Sequence, residues 1–220
     1  MRIAVGCYFL LLATALGARP EPAALANLLE TAKSDYETGH FDSALAKLDK
    51  RDKARGPSAE SLDLRGQIAL EQGKLDLAAK GFDEAHKLAP QVFAPRLHAA
   101  DVLLRAKKYD DAGQVYRRLV SETNILISNE RVRYGLLITA LAQHKTEAAK
   151  RTLANSNFPT ETPAYYFAQA AMELSQGHAS AAQKWMATAR QIFDPKLFPW
   201  FARPLYDLGW LKDKLAPPAI

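Results

Sequence analysis

The sequence predicts an all-α protein: about five helix hairpins repeated along the chain and closed by a C-terminal segment. Three observations predict it. A pattern of small, aromatic and alanine residues recurs with a period of 34 residues. Glycine or proline falls where the helical stretches end. Alanine is abundant throughout, which favours helix and lets neighbouring helices approach closely. With 48% of residues apolar, the chain can form a continuous core, which excludes global disorder.

Residues 1–18 read as an export leader. Arg2 supplies a positive start, residues 3–16 form an apolar run, and Ala15, Gly17 and Ala18 are the small residues of a cleavage site. The run is short for a membrane span. Cys7 is the only cysteine, and it lies inside the apolar run rather than after it, so it does not fit a lipid-attachment site. Cleavage then leaves no cysteine, hence no disulfide, catalytic thiol or cysteine metal site. It also removes one base and no acid, so the net charge falls from +5 to +4. A surface so mildly basic and mixed in sign is weak support for a polyanionic partner.

The first hairpin, near 25–58, carries Ala32, Gly39, Phe41, Ala44 and Leu48, and Gly56-Pro57 ends it. The clearest hairpin is the second, near 59–92. Gly66 and Ala78 are small where its two helices cross, with Leu62 and Phe82 beside them. Gly73 sits in the turn, where a residue without Cβ takes positive φ at no steric cost. Pro90 ends the second helix. The third, near 93–126, repeats the pattern with Ala100, Tyr109, Ala112 and Tyr116, but Lys107 stands at the turn glycine's place. The fourth, near 127–162, is degenerate: its helices are expected over 131–143 and 146–154, and the stretch from Asn155 to Pro163 is a loop by composition. The fifth, near 163–195, contains Tyr166, Ala170, Gly177, Ala182, Met186 and Ala189.

This spacing closely resembles the tetratricopeptide repeat, a helix–turn–helix unit of about 34 residues. The resemblance implies a right-handed superhelical α-solenoid over residues 19–195 in which each unit contacts its neighbours and the ends need a cap. Residues 196–220 fit that cap: Leu197, Phe198, Trp200 and Phe201 could cover the last repeat, and Pro199 and Pro204 should break the segment into short helices. The end of the chain, from Lys212 on, should fray.

The resemblance also implies where a partner binds, because the first helix of each unit lines the inner wall. It places there Leu29, Lys33, Tyr36, Asp63, Gln67, Leu70, Leu97, Asp101, Leu104, Arg105, Phe167, Ala171 and Leu174. This mixed, partly apolar wall suits an extended segment or an amphipathic helix. A family subclass that grips acidic C-termini uses a clamp of Lys, Asn and Arg. The matching positions are Leu29, Lys33, Leu64, Ala94 and His98, and only Lys33 is basic, at a place where the clamp has Asn. That specificity is not expected. A second surface is conceivable in Trp200, Phe201, Tyr206 and Trp210, read either as capping core or as an adhesive patch for a partner or a second copy.

Catalytic equipment is missing from the sequence pattern. The five histidines, His40, His86, His98, His144 and His178, form no metal-binding spacing, and His40, His144 and His178 are expected in exposed turns. There is no phosphate loop or nucleophile elbow, and the repeats leave little chain for a catalytic domain. The basic run Lys47, Lys50, Arg51, Lys53 and Arg55 is interrupted by Asp49 and Asp52, unlike a nucleic-acid-binding stripe. The expected function is a non-enzymatic protein- or peptide-binding scaffold of a bacterial periplasm or envelope. No cofactor, metal, nucleic acid or small-molecule substrate is expected. Self-association through the C-terminal aromatics is the alternative, and an enzyme of unrecognised type the remote one.

Overall fold

The computed structural model describes residues 22–122, 126–156 and 160–212. The expected leader, with Cys7, lies outside them, as does the chain's end beyond Lys212. Among the described residues there are eleven α-helices, a short 3-10 turn and no strand. No helix among them is long and apolar enough to cross a membrane. The chain divides into two compact units after Pro57.

The first unit is a hairpin of α1 (Pro22–Glu37) and α2 (Phe41–Arg55). Ala32, Ala44 and Leu48 are fully buried. Lys47 of α2 donates to Asp35 of α1 at 2.5 Å, and this hydrogen bond holds the Asp35 carboxyl below its ordinary pKa.

The second unit contains α3 (Ala59–Glu71), α4 (Leu75–Leu88), α5 (Ala94–Arg105), α6 (Tyr109–Glu122), α7 (Leu126–Ala142), α8 (Thr146–Ala154), α9 (Ala164–Ser175), α10 (Ala179–Ile192) and α11 (Phe198–Asp207). Consecutive helices form hairpins, and α3, α5, α7 and α9 also touch in series, as a stack of repeats requires. A capping box starts α3: the Ser58 hydroxyl accepts from the Ser61 N–H, and Ser61 Oγ accepts from the Ser58 N–H at 2.9 Å. At the α3–α4 crossing, Gly66 lies against the Phe82 ring, and a Cβ on Gly66 would come within 2.5 Å of it. Gly81 of α4 also lies close to the Gly66 backbone. Tyr116 of α6 lies against Gly135 of α7 in a comparable way.

The turns between paired helices share one geometry. The Gly73 N–H donates to the Leu70 carbonyl and the Lys74 N–H to that of Ala69. The same two bonds close the turns at Lys107 and His144, which take φ of 60° and 58° where Gly73 and Gly177 take 74° and 82°. Lys107 therefore occupies the glycine position, as its spacing predicts, and His144 does so in the degenerate hairpin. There α8 falls where the sequence places it, whereas α7 begins at Leu126, ahead of the expected residue 131. A buried carboxylate, Glu130, fixes the connection into α9 by accepting from the N–H groups of Glu161 and Thr162, both at 3.0 Å, and from the Thr162 hydroxyl at 2.6 Å.

One expectation is corrected. Pro199 and Pro204 do not split the C-terminal segment: after a 3-10 turn at Pro195–Leu197, α11 runs unbroken through Pro204. Pro199 falls in the first helical turn, where a missing N–H costs nothing. Pro204 does remove one helical hydrogen bond, but burial of Phe198, Phe201, Ala202 and Leu205 holds the helix together. His98 lies inside α5 and is buried.

Candidate partner-binding face

Two of the expected wall residues of the first unit, Lys33 and Tyr36, are half-buried, and Leu29 is buried. Lys33 pairs with Glu30 at 3.0 Å, and the Tyr36 ring lies 6.0 Å from that of Phe41.

In the second unit the expected residues come from α3 (Asp63, Gln67, Leu70), α5 (Leu97, Asp101, Leu104, Arg105) and α9 (Phe167, Ala171, Leu174). They fall on the first helices of their hairpins, but not on an open wall. Leu70, Leu97, Leu104 and Ala171 are buried, and Phe167 is 0% exposed. Phe167 is thus corrected from partner contact to core. The rings of Phe198 and Phe201 cover it, with centroids 5.5 and 5.9 Å away.

The cover is α11. Its central contact is Phe201, whose ring packs edge-on against Tyr134 of α7 at 5.3 Å and whose carbonyl accepts from the Tyr134 hydroxyl. Trp200 stacks on His98 at 6.3 Å, and the Arg131 guanidinium sits over the same indole, 4.4 Å from the ring centroid. Along the edge, Asp207 pairs with Arg105 at 3.1 Å and Arg203 with Glu71 of α3 at 2.8 Å. α11 therefore engages α3, α5, α7 and α9, the series that should form the inner wall. A helix of ten residues is not stable alone in water. It exists because each buried Phe or Leu contributes about 1.5–3 kcal/mol on leaving water.

Beneath α11 the polar groups are paired. Asp63 accepts from Gln67 at 2.8 Å and lies 2.8 Å from His98 Nδ1. Asp101 accepts from Tyr116 at 2.7 Å and from Arg131 at 2.6 Å. Burial pushes the Tyr116 phenol well above its ordinary pKa, helped by the Asp101 charge, and burial alone does so for Tyr134. Burial lowers that of Arg105 against the opposing pull of Asp207. These groups hold one another in place. Among the described residues no group of three or more His, Cys, Asp or Glu side chains could hold a metal ion. The recess lined by Glu130, Tyr134 and Tyr165 measures about 10 Å³, room for one water molecule.

Of the two readings of the C-terminal aromatics, the packing is that of a capping core. Phe201 is buried, and Trp200, Tyr206 and Trp210 are half-buried against the same core. In this conformation they are committed to the chain's own fold rather than displayed as an adhesive patch. Glu71, Arg131, Tyr134, Arg203 and Asp207 complete the site and are absent from the sequence-based set. Asp63, Leu97 and Arg131 are successive steps of the 34-residue period, so the register that gives the first two also reaches Arg131.

These features define a class: an all-α repeat protein built of helix hairpins. The tetratricopeptide repeat model matches residues 29–93 and 64–124. Residues 29–124 therefore carry tetratricopeptide repeats. Solved structures share the fold. A thermophilic TPR protein of Thermus thermophilus superposes with a TM-score of 0.64 at 17% identity, covering 84% of this chain and 98% of that one. The pilF protein of Pseudomonas aeruginosa gives 0.62 at 15% identity, covering 86% and 87%. MamA of Desulfovibrio magneticus RS-1 gives 0.56 at 18% identity, covering 81% and 97%. No curated protein matches the chain at a significant level. The tetratricopeptide fold is commonly a scaffold for protein–protein interaction, generally without enzymatic activity.

Proposed function

We propose that the chain is a non-enzymatic adaptor of a bacterial cell envelope that binds a protein or peptide segment on the faces of its hairpins' first helices. One observation supports this most: the face formed by α3, α5, α7 and α9 already seats an amphipathic helix, α11, through an aromatic centre and an ionic edge. A surface that holds one helix in this way has the chemistry to hold another. The envelope address rests on the leader-like residues 1–18.

The test is capture from envelope extract by a chain beginning at residue 19. The substitutions should fall on half-buried residues, because replacing Leu70, Leu104 or Phe167 would damage the core. Loss of the captured protein with Lys33→Glu, Tyr36→Ala, Gln67→Lys or Leu174→Ser supports the reading. Undiminished capture by all four overturns it. Recovery of the full-length product only from the cytoplasmic fraction would overturn the envelope address.

A further inference from the structure

The path of α11 is the starting point. A sixth hairpin would continue the stack on α10, as α5 does on α4. The chain instead turns at Phe193, in extended backbone, passes through the exposed residues 194–197, and lays α11 on the first helices of the preceding hairpins. Residues 194–197 are the kind of segment on which a helix can swing.

The seat of α11 is buried in its centre and partly exposed at its edge. Phe198, Phe201 and Leu205, at i, i+3 and i+7, are buried. Arg203 and Asp207 keep 37% and 27% of their side chains exposed, so water competes for their ion pairs. Pro204 weakens the helix itself by removing one hydrogen bond. A capping helix with no other task gains nothing from an internal proline.

We propose that α11 is a resident ligand that a partner displaces. The partner is an amphipathic helix of another protein, with apolar side chains at i, i+3 and i+7, a base at i+5 to meet Glu71 and a carboxylate at i+9 to meet Arg105. This rests on the adaptor reading and states what the face recognises. A helix that repeats the pattern without the proline makes the same contacts from a more stable backbone, and so competes with α11. The chain is closed at rest and opens for a matching helix.

The probe is a fluorescein-labelled peptide of residues 196–210 carrying P204A, titrated into the chain beginning at residue 19 and read by fluorescence anisotropy. Two variants of the chain move the latch in opposite directions. Arg203→Glu sets like charges against Glu71 and Asp207, and the peptide should bind about fivefold tighter than to the unmodified chain. Pro204→Ala strengthens the resident helix, and the peptide should bind about tenfold weaker. Equal binding to all three, or no binding to the Arg203→Glu chain, overturns displacement. Should Arg203→Glu lose helicity, hydrogen exchange of the unmodified chain decides. Residues 198–207 should exchange well ahead of α7 and α9; exchange only with global unfolding overturns the proposal. Light scattering of the Arg203→Glu chain should show a monomer. A dimer would make the occupant a second copy's α11 and overturn the assignment to another protein. If the peptide displaces α11 but extract yields no partner, the adaptor reading fails and the latch stands. If a partner is captured equally by the Arg203→Glu and Pro204→Ala chains, the latch fails and the adaptor reading stands.

Discussion

Gly66 gives a prediction whose sign is informative. At an exposed helix position, replacing glycine by alanine stabilises by about 1 kcal/mol. At Gly66 the new Cβ would stand 2.5 and 2.7 Å from two carbons of the Phe82 ring. That ring is fully buried beside Ala78 and 5.2 Å from His98, with little room to retreat. Overpacking of this kind costs about 1–3 kcal/mol, and a contact so close belongs at the upper end. Gly66→Ala should therefore destabilise by about 2 kcal/mol after the gain in helix propensity is set against the clash. Phe82→Ala alone should cost about 3–5 kcal/mol. In the double variant the clash is gone and the propensity gain remains, so it should be more stable than Phe82→Ala by about 1 kcal/mol, a coupling of about 3 kcal/mol. Urea denaturation followed by circular dichroism measures all three. A stabilising Gly66→Ala, or additive effects, would refute the close α3–α4 crossing.

Further outcomes are expected elsewhere. Lys107→Gly and His144→Gly should each stabilise by about 0.5–1 kcal/mol, because both residues hold positive φ; relief of about 1–2 kcal/mol of backbone strain exceeds the entropy cost of glycine. A thermal melt detects this. Glu130→Ala should cost about 2–4 kcal/mol in urea denaturation, since it strips the acceptor from two N–H groups and a hydroxyl at the entrance to α9. Tyr116 and Tyr134 should make the fold sensitive to alkali. Their folded pKa values lie above the unfolded value near 10, so their contribution is intact below that pH and is lost as pH rises toward the folded values. Stability measured between pH 8 and 11 should fall above about pH 10, and Tyr134→Phe should flatten the fall.

The sequence was most legible where structure is local. The glycine turns and their Lys107 substitute follow from spacing, because each position needs the same backbone conformation. Helix-crossing sites such as Gly66 follow for the same reason: a small residue one turn from a large one marks a close approach. Placing Asp63, Leu97 and Leu104 on the first helices also follows from the period. That Phe198 and Phe201 cover the last hairpin was legible, but the reach of α11 back to α3 was not. Arg203 and Glu71 are brought together across most of the second unit, and no local pattern encodes that return. Pro199 and Pro204 read as breaks by local rules, and packing against α7 and α9 overrides them. Glu130 escaped because the groups that donate to it lie in an irregular loop, where periodicity carries no information.

The adaptor account makes the first-helix face, and not the outer surface of the hairpins, the place where a foreign polypeptide binds. A photo-cross-linking benzophenone residue can be placed at Leu174, half-buried on α9, and in a second chain at Leu77, which is 59% exposed on α4. After irradiation in envelope extract, the account predicts a covalent adduct with a foreign polypeptide from position 174 and none from position 77. An adduct from position 77 alone would contradict it.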